Sequence, residues 1–252
     1  MANYHIEKVD CYLEENKLVQ KKVQHNQKEY SIVRYDKSKL TPQQYNTVGL
    51  FRSVIYQKEN LVSFAPPKSM SYDTFQSTEL TTLTMEEYVE GTMINLFYTG
   101  DAWELATRSS VGGNVSFFNI KDKDRCVCPT FRALFLNTLV HHETLHPEQP
   151  DFFSGLEHLP KHYVLSFVLQ HPMNRIVMPI HEPALYLIKV YENKNPTILE
   201  KDVSDILSFL PGWVKRPITY NWSLDELEYK IVHQWMDYTK VGMMIYGVLP
   251  SG

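Results

Sequence analysis

The sequence predicts an α+β fold in which two antiparallel sheets are flanked by helices. Aromatic residues make up 13% of the chain, with 16 Tyr and 12 Phe, and aromatic side chains favour strands. Apolar segments occur in pairs joined by short polar turns, which indicates β-hairpins. No internal repeat, low-complexity tract or clean linker divides the 252 residues. We therefore predict a single domain over residues 1–252.

Two hairpins are predicted in the first half of the chain. Each joins two apolar segments through a polar turn. Their strands are residues 49–56 with 60–65, and residues 92–98 with 103–108. Upstream of both, residues 30–35 are a predicted strand, whereas residues 10–23 suit either a short strand pair or an amphipathic helix.

The second half of the chain combines helices with apolar strands. Residues 129–139 have helical spacing that continues toward His146, and the proline after His146 ends the helix. A polar loop then extends to Pro160. Three apolar strands in a row indicate a buried sheet, and a Ser-x-x-Glu capping box marks a helix near the end. The predicted elements are strands 163–170, 175–179 and 184–191, helices 202–210 and 223–235, and strand 241–248.

Composition limits the classes of partner and compartment. The net charge is −4 and the pI is near 6.2, so nucleic acid binding would need a local basic groove rather than a basic molecule. Three cysteines, at positions 11, 126 and 128, provide no disulfide framework and predict an intracellular, reducing compartment. No apolar run of 18 residues and no signal-peptide pattern occur, so we expect no membrane segment.

Polar residues lie at the open end of the central hairpin. Tyr88-Val89-Glu90-Gly91-Thr92 leads into its first strand, and Thr107-Arg108-Ser109 follows its second strand. A rigid hairpin with polar groups at one end is typical of small-molecule sites. The two segments resemble motif I and the next element of the covalent nucleotidyltransferases: RNA ligases, DNA ligases and mRNA capping enzymes. That motif is Lys-x-Asp/Glu-Gly, and here Tyr88 replaces the lysine that would carry the nucleotide.

The resemblance covers roughly residues 45–250 and is greatest for the bacteriophage RNA ligase 1 type. GLFRSVIY and FAPPKS place Arg52 and Lys68 where such ligases contact a triphosphate. YVLSFVLQHPMNRIVMPI with LYLIKVY is similar to motif III, and YTKVG is similar to motif IV. The resemblance implies a ligase/capping-enzyme nucleotidyltransferase-like core over residues 46–252, with residues 1–45 as N-terminal strands. The sequence of these segments also resembles ligase-like proteins of giant DNA viruses.

The departures from the family pattern occur at the residues that would carry out the reaction. The expected motif III acid is Ser166, and the motif IV acid is Val241 beside Lys240. Motif V would follow motif IV, but the sequence ends at Gly252, so the chain is either a reused fold or a fragment. The family attacks phosphorus with a deprotonated lysine amine, whereas Tyr88 presents a phenol on a stiff ring of different reach. These changes predict a degenerate active site without a catalytic residue.

The function predicted from this resemblance is a non-catalytic nucleotide- or RNA-binding or structural protein, perhaps of viral origin and located in the cytoplasm or virion. ATP and Mg²⁺ are the implied cofactors, and a structural role would imply protein partners. The alternative is an active RNA ligase or other nucleotidyltransferase with an unusual nucleophile. A simpler alternative to nucleotide binding is that Glu90 and Arg108 form an ion pair across the open end of the hairpin. The predicted nucleotide-binding residues are Arg52, Lys68, Tyr88, Glu90, Gly91, Arg108, Ser166 and Lys240.

A second motif suggests a remote alternative. His142-Glu143-Thr144-Leu145-His146 is an H-E-x-x-H sequence, the pattern of zinc hydrolases. On a helix its two histidines share a face, and the glutamate would act as general base. However, Pro147 ends the helix at once, and no third ligand has the family spacing. The simpler interpretation is a set of surface side chains, and no metal is assigned.

Overall fold

The computed structural model describes residues 2–6, 9–73, 82–117, 121–122, 125–126, 128–233 and 241–248. The strands are β1 (Asn3–His5), β2 (Leu18–His25), β3 (Lys28–Tyr35), β4 (Val54–Gln57), β5 (Asn60–Phe64), β6 (Thr82–Glu87), β7 (Thr92–Tyr98), β8 (Trp103–Thr107), β9 (Ser110–Val111), β10 (Lys121–Asp122), β11 (Arg125–Cys126), β12 (Tyr163–Gln170), β13 (Ala184–Lys194), β14 (Thr197–Lys201), β15 (Thr219–Tyr220) and β16 (Met243–Val248). The α-helices are α1 (Val9–Glu14), α2 (Phe131–Leu145), α3 (Phe152–Glu157) and α4 (Leu224–Val232).

Three antiparallel sheets position the candidate site. The large sheet has the order β1-β14-β13-β12-β7-β8-β9, the second sheet β2-β3-β4-β5, and the small sheet β15-β6-β16, while β10 and β11 form a separate pair. The predicted α+β class with antiparallel sheets and few helices is confirmed. The N-terminal segment supplies β1 to the large sheet and β2 and β3 to the second sheet. The division of the chain at residue 46 stays a prediction.

Both faces of the large sheet are buried. Side chains alternate along a strand, so Leu96 of β7 packs toward α2 and α3, whereas Phe97 packs toward the second sheet. We call the second of these the inner face; Tyr30 of β3 meets Phe97 there with ring centroids 6.2 Å apart. On the other face, the helix predicted from the spacing of residues 129–139 is confirmed, and its side chains Phe131, Leu134, Phe135 and Leu139 are all buried.

Side chains cap the helices as the sequence suggests. Thr130 accepts a hydrogen bond from the Ala133 N–H at the start of α2. Ser223 and Glu226 form the predicted capping box of α4. Asp151 caps α3, a helix that lies in the segment predicted as a polar loop. It was missed because its six residues are too few for a helical period to be recognised. None of the helices in the described ranges is long and apolar enough to cross a membrane.

Several predicted elements differ from the structure. The strand at 175–179 is wrong: a 3₁₀ turn over Pro172–Asn174 is followed by a loop whose amides bond to a side chain. Residues 10–23 contain most of α1 and most of β2. The segment therefore combines a short helix with one strand, whose partner β3 lies further along the chain, and neither open alternative describes it fully. The helix at 202–210 is a 3₁₀ helix, Val203–Phe209. The predicted end of α4 at Trp235 lies outside the described residues.

Candidate nucleotide site

The residues that match motif I lie where β6 leaves the small sheet and β7 enters the large sheet. The N–H of Glu87 donates to Ile218 (2.8 Å) and that of Tyr88 donates to Gly242 (2.9 Å), so the β6 ladder extends to Tyr88. A Cβ atom added to Gly242 would lie 4.0 Å from the Tyr88 Cβ. The structure therefore places Gly242, the last residue of the segment that resembles motif IV, beside Tyr88. Tyr88 is 45% exposed.

Glu90 is 7% exposed and is engaged by the protein's own backbone. Its two carboxylate oxygens accept hydrogen bonds from the N–H groups of Val177 (2.5 Å) and Met178 (2.8 Å). Its carbonyl oxygen accepts a bond from the Gln170 side chain (2.9 Å). Bonds to an ionised carboxylate are stronger than neutral ones. Glu90 therefore anchors the loop that follows the 3₁₀ turn, and its carboxylate does not face outward toward a ligand.

We expect Glu90→Gln to lower the free energy of unfolding by about 1–3 kcal/mol. The amide has one acceptor oxygen, so its NH₂ group would face one of the two N–H donors. Hydrogen exchange should accelerate at the amides of Val177 and Met178. Glu59→Gln, which makes the same change on an exposed residue, is the control and should leave exchange unaltered. Unchanged protection of both amides in Glu90→Gln would show that the carboxylate does not anchor this loop.

Gly91 makes a close contact that only glycine allows. Its φ is +153°, and an added Cβ would lie 2.6 Å from the Leu169 carbonyl oxygen and 2.6 Å from the Val168 Cγ1. A real Cβ does not approach a backbone oxygen so closely, and the φ value disfavours residues with a side chain. Gly91 therefore lets the β6–β7 connection pass over the end of β12.

Ser166, in the place of the motif III acid, is fully buried on the inner face. It lies opposite Asn95 in the β12–β7 register, and its hydroxyl donates to the Asn95 Oδ1 at 2.8 Å. The Asn95 Nδ2 is buried without a hydrogen-bond partner among the described residues. A hydroxyl and an amide thus stand where a carboxylate is expected, and they offer hydrogen bonds without the negative charge that favours Mg²⁺.

Lys189 is the centre of a polar cluster that our sequence reasoning missed. It pairs with Ser166 in the β12–β13 register, which places it on the same face. Its Nζ lies 2.6 Å from the Glu200 Oε1 and 3.9 Å from the centroid of the Tyr246 ring. The Lys189–Tyr246 contact joins the large sheet to the small sheet. The sequence feature that could have indicated this cluster is the lysine in the middle of the apolar segment LYLIKVY.

Burial and charge shift the titration of this cluster. Burial raises the pKa of Tyr246, and the negative charges of Glu86 and Glu200 raise it further. Burial also raises the pKa of Glu86, which the positive charges of Lys189 and Arg216 oppose. The basic groups of the cluster therefore partly offset the effect of burial on its acidic groups, and the cluster lies between the large sheet and the small sheet.

Arg52 and Lys68 lie in one basic cluster beside the second sheet. The N–H of Lys68 donates to the Gly49 carbonyl at 3.0 Å, which ties the segment after β5 to the segment before β4. Burial lowers the pKa of Lys68, and the positive charges of Arg52 and Lys37 lower it further. The Lys68 Nζ also lies 5.3 Å from the centroid of the Tyr45 ring. Such a cluster suits the binding of an anion.

Arg108 does not pair with Glu90, so the ion pair expected across the hairpin mouth is wrong. The carboxylate of Glu90 is already engaged by two backbone amides. The Arg108 guanidinium carbon lies instead 5.2 Å from the centroid of the Tyr35 ring, and its Nε is buried without a hydrogen-bond partner among the described residues. Lys240 lies outside the described residues.

The H-E-x-x-H residues have structural contacts. The His142 Nε2 lies 2.9 Å from the Pro183 carbonyl oxygen, and its ring stacks on Trp213 with centroids 4.7 Å apart. The Glu143 Oε1 accepts a hydrogen bond from the Phe152 N–H at 3.0 Å, which holds the start of α3. Burial lowers the pKa of His142. His142 and Glu143 thus contribute to packing around α2 and α3, and His146 is the residue that caps the end of α2.

The residues at this site do not suit a metal ion held by the protein. Oxygen ligands from carboxylates are what Mg²⁺ prefers, but Ser166 and Val241 occupy the expected acid positions, and both Glu90 oxygens are engaged. Within the described ranges, no group of three or more His, Cys, Asp or Glu residues has the geometry of a metal site.

Comparison with known proteins supports a ligase/nucleotidyltransferase-like fold for this chain. No protein-family profile matches the sequence. An RNA ligase of Rhodothermus phage RM378 is 31% identical over 104 residues, which is 41% of this chain and 22% of that protein. A solved Aquifex aeolicus protein assigned as an ATP-dependent DNA ligase superposes with a TM-score of 0.54 at 11% identity, covering 94% of this chain and 57% of that chain. This chain thus spans only part of the length of each relative.

Proposed function

We propose that this chain is a ligase-like domain that binds a nucleotide or RNA without forming a covalent bond to it. The observation that carries the proposal is Tyr88, which stands where the nucleophilic lysine of the family would stand. A tyrosine phenol at neutral pH is protonated and has a different reach from a lysine amine. The phage relative is in keeping with a viral origin, and a structural role with protein partners is the other form that a non-catalytic function would take.

The rest of the site supports loss of the covalent step. Ser166 and Val241 provide no carboxylate, and Glu90 is used to anchor a loop. The chemistry of the family requires both a nucleophile and charge stabilisation at the reacting phosphorus. Loss of all these groups together leaves binding, rather than bond formation, as the activity of the site.

Groups that bind phosphate remain. Arg52 and Lys68 form a basic cluster, and guanidinium and ammonium groups donate charge-assisted hydrogen bonds to phosphate oxygens. A bound ATP would bring Mg²⁺ on its own phosphates, since the described donor groups do not form a site for the ion. The retained function we propose therefore needs only the basic residues.

An active enzyme with an unusual nucleophile is the second candidate, because Tyr88 is 45% exposed. The deciding experiment incubates the full-length protein with α-³²P-labelled ATP or GTP and Mg²⁺ or Mn²⁺ before denaturing electrophoresis. We expect no labelled protein, whereas equilibrium dialysis should detect nucleotide or RNA binding. An acid-labile adduct would overturn the proposal and indicate a lysine nucleophile. An acid-stable adduct lost in Tyr88→Phe would overturn it in favour of tyrosine.

A restored lysine is the matched control. Tyr88→Lys returns the nucleophile but leaves Ser166 and Val241 in place, so we expect no adduct from this variant either. Adduct formation by Tyr88→Lys would show that the remaining residues are still competent for catalysis, which would overturn the claim that the whole site is degenerate.

A further inference from the structure

Two arginine side chains approach each other without an acidic partner. Arg34 lies on β3, and Arg108 lies in the turn between β8 and β9. Neither forms an ion pair or hydrogen bond to another side chain in the described part of the chain. Burial lowers the pKa of Arg34, and the positive charge of Arg108 lowers it further. Two like charges held together in this way are unfavourable unless an anion compensates them.

The contact of Arg108 with β3 brings the two arginines into the same region. Arg34 immediately precedes Tyr35 on β3, and Arg108 lies against the Tyr35 ring. Arg108 follows Ala106, which is buried in the core between these two sheets. The ring of Tyr35, 5.2 Å from the Arg108 guanidinium, supports Arg108 from the side of the second sheet.

The buried donors of the pair are not satisfied. The Nε atoms of Arg34 and Arg108 are both buried, and neither has a hydrogen-bond partner among the described residues. A buried donor without a partner is destabilising, so a native protein normally supplies an acceptor for it. Planar guanidinium groups match the geometry of phosphate oxygens and bind them through two parallel hydrogen bonds.

The pair lies at the end of the sheets that carries the candidate site. Asn95 pairs with Ala106 in the β7–β8 register, so Arg108, two residues after Ala106, emerges beside the first residues of β7. The N–H of Tyr35 donates to the Phe51 carbonyl at 2.7 Å, which places the end of β3 beside the segment of Arg52. The basic residues of the two sheets thus share one end of the molecule.

We propose that Arg34 and Arg108 together bind one phosphate group of the ligand, either a phosphodiester of single-stranded RNA or a phosphate of a mononucleotide. Arg108 lies in the segment that resembles the element after motif I, whereas Arg34 is outside every segment that resembles a ligase motif, so Arg34 is the new member of the site. The inference rests on the proposed function and specifies it: the pair adds a second phosphate contact to the cluster of Arg52 and Lys68.

The test measures binding to a fluorescein-labelled single-stranded RNA by anisotropy, and to ATP and inorganic pyrophosphate by calorimetry. We expect Arg34→Gln and Arg108→Gln each to weaken binding by about tenfold or more, since each removes charge-assisted hydrogen bonds. For RNA, the slope of log K against log salt should become shallower by about 0.7 for the lost contact. Arg34→Lys keeps the charge but not the planar guanidinium group, so its binding affinity should lie between those of the wild type and Arg34→Gln.

Lys22→Gln is the matched control, because it removes one positive charge from an exposed lysine of the second sheet; we expect less than about a twofold change. Arg34→Gln also relieves repulsion, so its melting temperature should not fall, and lost binding cannot then be attributed to unfolding. If Arg34→Gln does unfold, the binding measured for Arg34→Lys and Arg108→Gln tests the arginine site instead.

The outcomes separate the site from the proposed function. RNA binding by the wild type with affinity and salt slope unchanged in Arg34→Gln and Arg108→Gln would overturn the arginine site and leave the proposed function intact. Binding of ATP and pyrophosphate but not of RNA, weakened by both substitutions, would support the site and assign it to a mononucleotide. A folded wild type that binds none of the three ligands would overturn both proposals.

Discussion

Gly91→Ala is expected to lower the free energy of unfolding by about 3 kcal/mol or more, because it combines backbone strain with overpacking. At this chain length the melting temperature should fall by roughly 6–12 °C. The added Cβ would lie 2.6 Å from the Leu169 carbonyl oxygen and 2.6 Å from the Val168 Cγ1, at a φ of +153°. Neither contact can relax by moving a long flexible side chain, so β12 and the β6–β7 connection must separate. Thermal unfolding followed by circular dichroism measures the effect.

Gly100→Ala separates the two causes. Gly100 also has a positive φ, +96°, but an added Cβ there would meet only the Lys28 Nζ at 4.0 Å. This variant should therefore show the strain alone, about 1 kcal/mol. An equal loss of stability in the two variants would mean that the contact with β12 is not the reason why residue 91 is glycine. Because Glu90 holds the neighbouring loop, Gly91→Ala should also accelerate hydrogen exchange at Val177 and Met178.

Glu104→Ala is expected to have an effect of similar size, about 3 kcal/mol, since it removes a buried hydrogen-bond acceptor and leaves its donors unpaired. Glu104 is 5% exposed. It accepts hydrogen bonds from the Leu105 N–H (2.8 Å) and from Arg132, and its Oε2 lies 2.7 Å from the His25 Nε2. These bonds connect β8 to the hairpin of the second sheet and to the first turn of α2. Urea unfolding should show a lower midpoint with an unchanged slope.

The Glu104 carboxylate also predicts how the stability of the protein depends on pH. Burial alone would raise the pKa of Glu104, but hydrogen bonds from His25, Leu105 and Arg132 outweigh burial and lower it. A lowered folded-state pKa means that the stabilisation is complete above the unfolded pKa of about 4.3 and is lost as the pH falls through the folded pKa. The wild type should therefore lose stability below about pH 4.3 more steeply than Glu104→Gln.

Glu29→Gln is the control for this experiment. Glu29 lies on the same hairpin of the second sheet, 3.9 Å from Lys22, and its side chain is 59% exposed. An exposed pair of this kind contributes at most about 1 kcal/mol, and its removal should leave the acid limb of the stability curve unchanged. Parallel acid limbs for the wild type and Glu104→Gln would contradict the role assigned to the buried network.

Local patterns predicted the elements that depend on neighbours in sequence. The central hairpin, the core stripe of α2 and the capping box of α4 follow from alternation, helical spacing and a four-residue motif, all of which operate over short distances. Residues 175–179 show where this reasoning fails. Their apolar side chains suggested a buried strand, yet Val177 is 64% exposed, and its N–H bonds to a carboxylate 87 residues earlier in the chain.

The sequence by itself determined which chemical groups are present at the positions that match the ligase motifs: a tyrosine for the lysine, a serine and a valine for two acids, and basic residues that remain. Only the tertiary structure decided what those groups contact. It engages Glu90 with a loop and brings Tyr35 of β3 beside Arg108 of the β8–β9 turn. The physical reason is that such contacts depend on strand register and on the packing of one sheet against another, which no local pattern of residues encodes.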